Sequence, residues 1–221
     1  MTVPALAPAA VLDAASALLE RALEGAAGTL AVTFAEPALV LGSAQPEETV
    51  DGAACAADGL RVLRRGSGGG AVLCDPRLLE VDVALPAGHA LLVDDVSESY
   101  RFLGTAWLEA LASLGIEGRL VAVAEARATT EARRAAARLA CYAGLSPYEV
   151  VDGNGAKLVG FCQRRRRGAA LYQCGLACGR DPGDVARYVR VDRAALGPTR
   201  AVSLEPTAAW AALEPLLLDR L

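Results

Sequence analysis

Apolar residues recur at helical spacing over 9–24 (AAVLDAASALLERALE), which predicts an amphipathic helix stopped by Gly25. Two short β-like runs follow at 29–34 and 38–42, with Glu36-Pro37 as turn material between them. Residues 60–65 and 71–74 read as strands around the glycine-rich stretch 66–70, and 79–85 (LEVDVAL) alternates with the period of a half-buried strand. Asp94 or Asp95 is suited to cap a long helix from about 96 to 114, which Gly115 would end. A second, arginine-bearing helix is predicted at about 129–140. Residues 148–151 and 156–163 form an expected hairpin across Asp152-Gly153-Asn154-Gly155, residue types that tolerate positive φ. A further strand spans 168–178. The final third reads as helical, with Trp210 and Leu216 to Leu218 on an apolar face. Hairpins interrupted by helices predict an α+β domain with a mixed, mostly antiparallel sheet flanked by helices. With no internal repeat and no long linker, residues 1–221 are expected to form a single domain.

Composition narrows the classes. A hydrophobic fraction of 53% excludes a disordered chain. A net charge of −4 disfavours general nucleic-acid binding, which needs a basic face. There is no uncharged apolar run of membrane-spanning length, and Met1 to Pro8 lacks the basic start of a secretion signal, so a cytoplasmic protein is expected. Six irregularly spaced cysteines in a chain of this size do not read as a disulfide framework. No metal site is expected either, because no CxxC pair occurs and Cys174 and Cys178 supply only two ligands. The sole histidine, His89, leaves little room for hydrolysis on a histidine base. Lys157 is the only lysine, and the other basic residues are arginines. A lysine retained in such a chain suits work that needs a compact cation with three rotatable donors.

Two segments carry candidate chemistry. In Arg64-Arg65-Gly66-Ser67-Gly68-Gly69-Gly70 the bare glycines allow close backbone approach to a carboxylate or phosphate, with arginine charge beside them; a plain glycine-rich hairpin turn reads equally well. The stretch lacks the lysine of a phosphate loop and does not match the dinucleotide fingerprint. In Gly155-Ala156-Lys157-Leu158-Val159-Gly160-Phe161-Cys162-Gln163, Lys157 stands on a strand just past a turn, where its ammonium can hold a carbonyl and a phosphate oxygen of an acyl-adenylate. Arg164 to Arg167 form a basic tip, which also reads as a solvated hairpin end.

These segments resemble those of a known family. RRGSGGGAVLCD is similar to the RR-[ST]-GGG-A-V-x-H-D signature of the lipoate–protein ligase A family and its octanoyltransferase relatives. GAKLVGFCQRRRRGAALYQCG is similar to that family's lysine-bearing segment. LGSAQ, ending in Gln45, and VSESYRFLGTAWLEAL resemble two further stretches, all in the family's order over about residues 10–180. The biotin enzymes' GRGRxGRxW-type loop is absent. Cys74 and Cys174 stand where the family usually has histidine, and RLLEVDV replaces a GNLN-like stretch.

The resemblance implies a class II synthetase-like biotin/lipoate ligase fold, without the accessory C-terminal domain of full-length ligases. It implies that Gly68, Gly69 and Gly70 line the acyl pocket and that Lys157 contacts the acyl carbonyl. Arg64, Arg65, Ser67, Gln45, Gly160 and Gln163 would lie nearby. CYAGLSPYE resembles the octanoyltransferases' C-F-x-x-x-S-x-Y-E, which makes Cys141 a candidate acyl-carrying nucleophile, its thiolate favoured by nearby positive charge such as Lys157. A buried small hydrophobe is the alternative for Cys141. Three functions stay open: acyl transfer of a lipoyl or octanoyl group through a Cys141 thioester; ATP- and Mg-dependent lipoate ligation through lipoyl-adenylate; and a non-catalytic acyl-binding relative. The implied partners are an acceptor lipoyl domain or glycine-cleavage H-like protein and an acyl carrier protein, with lipoate or octanoate as substrate group and no permanent cofactor.

Overall fold

In the computed structural model of the chain, which describes residues 2–221, the predicted strands assemble into two sheets with helices on both sides. The large sheet has the order β1 (Ala5–Leu6), β2 (Gly28–Phe34), β6 (Leu78–Leu85), β10 (Ala169–Ala177), β9 (Lys157–Arg166), β8 (Val150–Val151), β7 (Arg119–Leu120). All its pairings are antiparallel except β1 with β2. The small sheet places β3 (Ala38–Leu41) between β4 (Arg61–Arg64) and β5 (Val72–Cys74). This is the expected α+β architecture with a mostly antiparallel sheet.

Strand alternation gives the large sheet two different faces. Leu79, Val81, Val83 and Leu85 of β6 point into the main core. There they meet Phe161, Tyr172 and Cys174, together with Trp107 and Leu111 of α3 (Arg101–Ser113) and Leu213 and Leu217 of α6 (Pro206–Leu218). The opposite face carries α1 (Pro8–Leu23), whose Ala15, Leu18 and Leu19 pack on Ala84, Ala169 and Leu171. Beside α1 the small sheet leans on the same face, Val40 and Cys74 clustering with Val32, Phe34 and Leu78. The space between the small sheet and this face holds the site.

Several elements differ from the sequence expectation. β4 and β5 do not form a hairpin; β4 runs parallel and β5 antiparallel to β3, so residues 66–70 cross over the end of β3. The helix predicted from 96 starts at Arg101, because Asp95 caps a preceding 3-10 turn instead, accepting from Ser97 N (2.7 Å) and Glu98 N (3.1 Å). The helix predicted at 129–140 is two, α4 (Val123–Ala132) and α5 (Arg134–Leu139), broken at Arg133 (φ −112°, ψ 24°). A short helix α2 (Gly52–Ala57), capped by Asp51, went unpredicted. Much of the final third is 3-10 turn (Pro182–Arg187, Arg193–Leu196) rather than helix, and α6 is its long helical piece. The hairpin of β8 and β9 is present, with Val150 opposite Val159. β9 and β10 join through Arg167-Gly168, both at positive φ (48° and 83°), as a two-residue hairpin turn requires.

Candidate active site

β8 is so short that it covers β9 only as far as Val159. Beyond that point the edge of β9 turns to side chains: Phe161 N donates to Glu149 Oε1 at 2.8 Å. Glu149 also accepts from Ser146 N (2.8 Å) and pairs with Lys157, whose Nζ lies 2.9 Å from Oε2 and 3.0 Å from Oε1. Both side chains are buried, with 2% exposure for Lys157 and 0% for Glu149. Nζ donates further to the carbonyl of Cys141 (2.9 Å) and sits 5.5 Å from the ring centroid of Tyr142. Burial by itself lowers the Lys157 pKa, but Glu149 outweighs it, and the ammonium titrates above the ordinary lysine value. Burial pushes the Glu149 carboxyl up, against the opposing pull of Lys157 and the N–H groups of Phe161 and Ser146. The only lysine is thus fixed as a cation at a buried point, within 3.0 Å of three acceptor oxygens.

The glycine loop lies opposite. Arg65 builds it from within, donating Nε to Ser67 Oγ (3.1 Å) and its terminal nitrogens to the carbonyls of Val40 (3.2 Å), Gly68 (2.7 Å) and Gly70 (2.9 Å). Gly69 has φ +97°, a conformation other residues rarely adopt. At Gly70 a Cβ would fall 2.6 Å from Ala140 N, so only glycine lets the loop press against the end of α5. That approach is zipped by backbone hydrogen bonds, Ala71 N to Leu139 O (2.9 Å) and Cys141 N to Ala71 O (3.0 Å). The glycine loop therefore positions the 3-10 turn Cys141–Ala143 directly.

Two neighbouring cavities result, which share Cys141, Phe161 and Cys162 as a common wall. The outer one, about 300 Å³, is bounded by Gly68 to Gly70, Cys141, Glu149, Lys157 and the free edge of β9 from Phe161 to Gln163. The inner one is narrow, about 40 Å³, and mostly apolar, formed by Leu12, Phe34, Val40, Val72 and Phe161 with Glu80 and Gln173 at one side. Half-buried Cys141 lines both, as do Phe161 and Cys162. Two other thiols of the inner cavity are held protonated: burial pushes Cys162 up to about 11 and Cys74 well above the ordinary thiol value. A mouth with a fixed cation, a thiol at the junction and an apolar channel behind it can hold the carbonyl of an acyl group whose chain points inward.

Of the residues singled out from sequence, the structure brings Arg65, Gly68, Gly69, Gly70, Cys141, Lys157, Gly160 and Gln163 to these cavities. Gln163 stands at the outer rim, donating to Val96 O at 3.1 Å. Ser67 bonds Gln173 Oε1 (2.6 Å) and lies 3.2 Å from Cys162 Sγ, behind the loop. Arg64 and Gln45 are not at the cavities. Arg64 donates outward to the carbonyls of Gly42 (2.9 Å) and Gln45 (2.6 Å), and Gln45 donates to Leu139 O (3.1 Å), so both brace the loop's outer side. Glu149 is the site residue that sequence reasoning missed. It stands in the same CYAGLSPYE stretch as Cys141, and its match to the last residue of the octanoyltransferases' C-F-x-x-x-S-x-Y-E was the available signal.

The family model for the lipoyl protein ligase A/B catalytic domain matches residues 7–214. The chain is 35% identical over 136 residues to the octanoyltransferase LipM of Kyrpidia tusciae, covering 60% of this chain and 47% of that protein. It is also 35% identical over 162 residues to the LipM of Carboxydothermus hydrogenoformans, covering 72% and 56%. The chain thus spans about half the length of the curated relatives it matches. Among solved structures, the bi-partite lipoate protein ligase of Thermoplasma acidophilum, studied with its E2 lipoyl domain, superposes with a TM-score of 0.71 at 18% identity, over 99% of this chain and 82% of that one.

Proposed function

Because the chain belongs to the lipoyl protein ligase A/B catalytic domain family, we propose that it transfers an eight-carbon acyl group, octanoyl or lipoyl, from a carrier thioester through Cys141 to a lysine of an acceptor lipoyl domain. The observation that carries this reading is the position of Cys141 at the junction of the apolar channel and the lysine-bearing mouth. The Cys141 thiolate attacks the carrier's thioester carbonyl; the new C–S bond forms as the carrier's C–S bond breaks and its thiol leaves. The acceptor lysine amine then attacks the Cys141 thioester, an amide C–N bond replaces the C–S bond, and the proton lost by the amine returns to the Cys141 sulfur. The Lys157 ammonium, on the wall of the outer cavity, supplies positive charge beside the acyl oxygen as negative charge develops on it. Thioester exchange is close to balanced in free energy, and the second step is driven by amide formation.

A second reading keeps the same pocket for ATP-dependent ligation, with Lys157 and the glycine loop holding an acyl-adenylate. The roomy outer cavity favours it, as does the lipoate protein ligase named among the solved relatives. The two separate in one assay. The purified protein, given octanoyl-carrier protein and an acceptor lipoyl domain without ATP, is expected to acylate the acceptor, and Cys141→Ser is expected to abolish this. Acylation only with free acid, ATP and Mg, undiminished in Cys141→Ser, overturns the transfer reading.

A further inference from the structure

The basic end of the β9–β10 hairpin is joined to the rim of the outer cavity by an unbroken set of contacts. Gln163, on the rim, donates to Val96 O (3.1 Å) and accepts from Arg165 Nε (2.9 Å). Arg165 continues along the same segment, donating to Val93 O (2.8 Å) and Asp94 O (3.3 Å). Next to it lies a second surface pocket, about 420 Å³, bordered by Arg165, Arg166 and Arg167 with Gly88, Leu92 and Asp94. Three guanidiniums thus border one pocket against a single carboxylate, on a chain whose net charge is −4.

These cations are not fully used by the fold. Arg166 is partly neutralised by an exposed pair with Glu20. Arg165 gives three N–H groups to the acceptors named above and keeps two. Arg167 is exposed at the turn, at φ 48°, and its guanidinium has no acceptor among the described residues. Like charges gathered around one pocket repel one another, and an anion seated there relieves that repulsion while accepting charge-assisted hydrogen bonds. β9 also sets the distance of this charge from the site. A strand rises roughly 3.3 Å per residue, so Arg166 stands roughly 13 Å along β9 from Cys162 on the cavity wall. A carrier protein holds its acyl thioester on a phosphopantetheine arm, in which about thirteen bonds separate sulfur from phosphorus, roughly 15 Å when extended. With the sulfur at Cys141, the phosphate of such an arm reaches the arginine pocket. Val93 and Val96, 41% and 52% exposed, flank the path between rim and pocket and offer apolar surface to the arm's dimethyl group.

We propose that the pocket of Arg165, Arg166 and Arg167 binds the phosphate of the phosphopantetheine arm by which a carrier protein presents its acyl thioester to Cys141. The inference rests on the transfer reading of the site and adds a subsite for the donor outside the acyl pocket. The rate of Cys141 acylation, followed by intact mass at subsaturating donor, tests it with octanoyl-carrier protein, octanoyl-phosphopantetheine and octanoyl-pantetheine; the last two differ only in the phosphate. Wild type is expected to react about tenfold faster with the phosphorylated small donor than with octanoyl-pantetheine. In the double variant Arg166→Gln/Arg167→Asn, where asparagine suits the positive φ of the turn, that preference is expected to fall to about twofold or less. The variant is also expected to slow with octanoyl-carrier protein and to keep the wild-type rate with octanoyl-pantetheine, which shows that it is folded. Equal rates of wild type with the two small donors, or a preference that survives in the variant, overturn the inference. A variant slowed with octanoyl-carrier protein alone overturns it too, in favour of contact with the carrier's protein surface. No acylation of wild-type Cys141 by any of the three overturns the transfer reading and the inference with it.

Discussion

Lys157 has three N–H donors, and both carboxyl oxygens of Glu149 and the Cys141 carbonyl lie within 3.0 Å of its Nζ. Lys157→Arg keeps the charge but asks a planar guanidinium to fit a buried point built for a compact ammonium. From sequence alone, that substitution reads as a loss of transfer with stability kept; the buried ion pair adds a stability loss of about 1–3 kcal/mol. A thermal melt beside a transfer assay checks both effects, and a variant with wild-type melting and wild-type rate contradicts the assignment. Lys157→Met goes further, because it leaves Glu149 as an uncompensated buried acid, and is expected to cost about 3–5 kcal/mol. That Lys157 is a candidate was legible in the sequence because it is the chain's sole lysine. That Glu149 holds it was not, since the pair forms only once the Cys141–Glu149 segment folds back over the edge of β9. Arg65 lines the inner cavity, but its bonding was not legible: its donors go to Ser67 and to the carbonyls of Val40, Gly68 and Gly70, tying the glycine loop to β3.

At the scale of elements, the glycine loop and the end of α5 behave as one unit, joined between Ala71 and Cys141. Gly70→Ala places a methyl group against the backbone of Ala140 and must push the Cys141 turn away. It is expected to lower the melting temperature and cut acyl transfer at least tenfold. Gly68 has open space around its Cβ position and lines the outer cavity. Gly68→Val is therefore expected to leave the melting temperature close to wild type while weakening acyl binding, measured by calorimetry. Equal effects of the two substitutions on stability contradict this division. Elements with an uninterrupted period, α1, β6, β9 and β10, were legible in the sequence because burial on one face imposes that period. The crossing of the glycine loop over β3 was not, because two short strands around glycines are equally compatible with a hairpin. The break at Arg133 has no glycine or proline to announce it.

On the scale of the whole molecule, a fully buried acid on β6, Asp82, sets a pH response. Asp82 is fully buried, neither of its carboxyl oxygens has a hydrogen-bond partner among the described residues, and burial raises its pKa to about 7. A raised acid binds its proton more tightly in the folded state, so this contribution is fully present below the unfolded value and is lost as pH rises toward about 7. Across that window the loss is on the order of 4 kcal/mol. Urea denaturation at several pH values is expected to show Asp82→Asn gaining on wild type as pH rises from about 4 to about 8; a constant difference contradicts the account. The inner cavity is mostly apolar, and the candidate reactive groups gather where the small sheet, α5 and the free edge of β9 meet. The central claim is that Cys141 carries the acyl group across that junction. Intact-mass measurement of the protein after incubation with octanoyl-carrier protein, without ATP or acceptor, tests it most directly. One octanoyl increment is expected, mapped to Cys141 and released by hydroxylamine; an unmodified Cys141 under conditions in which the acceptor does become acylated overturns the role proposed for it.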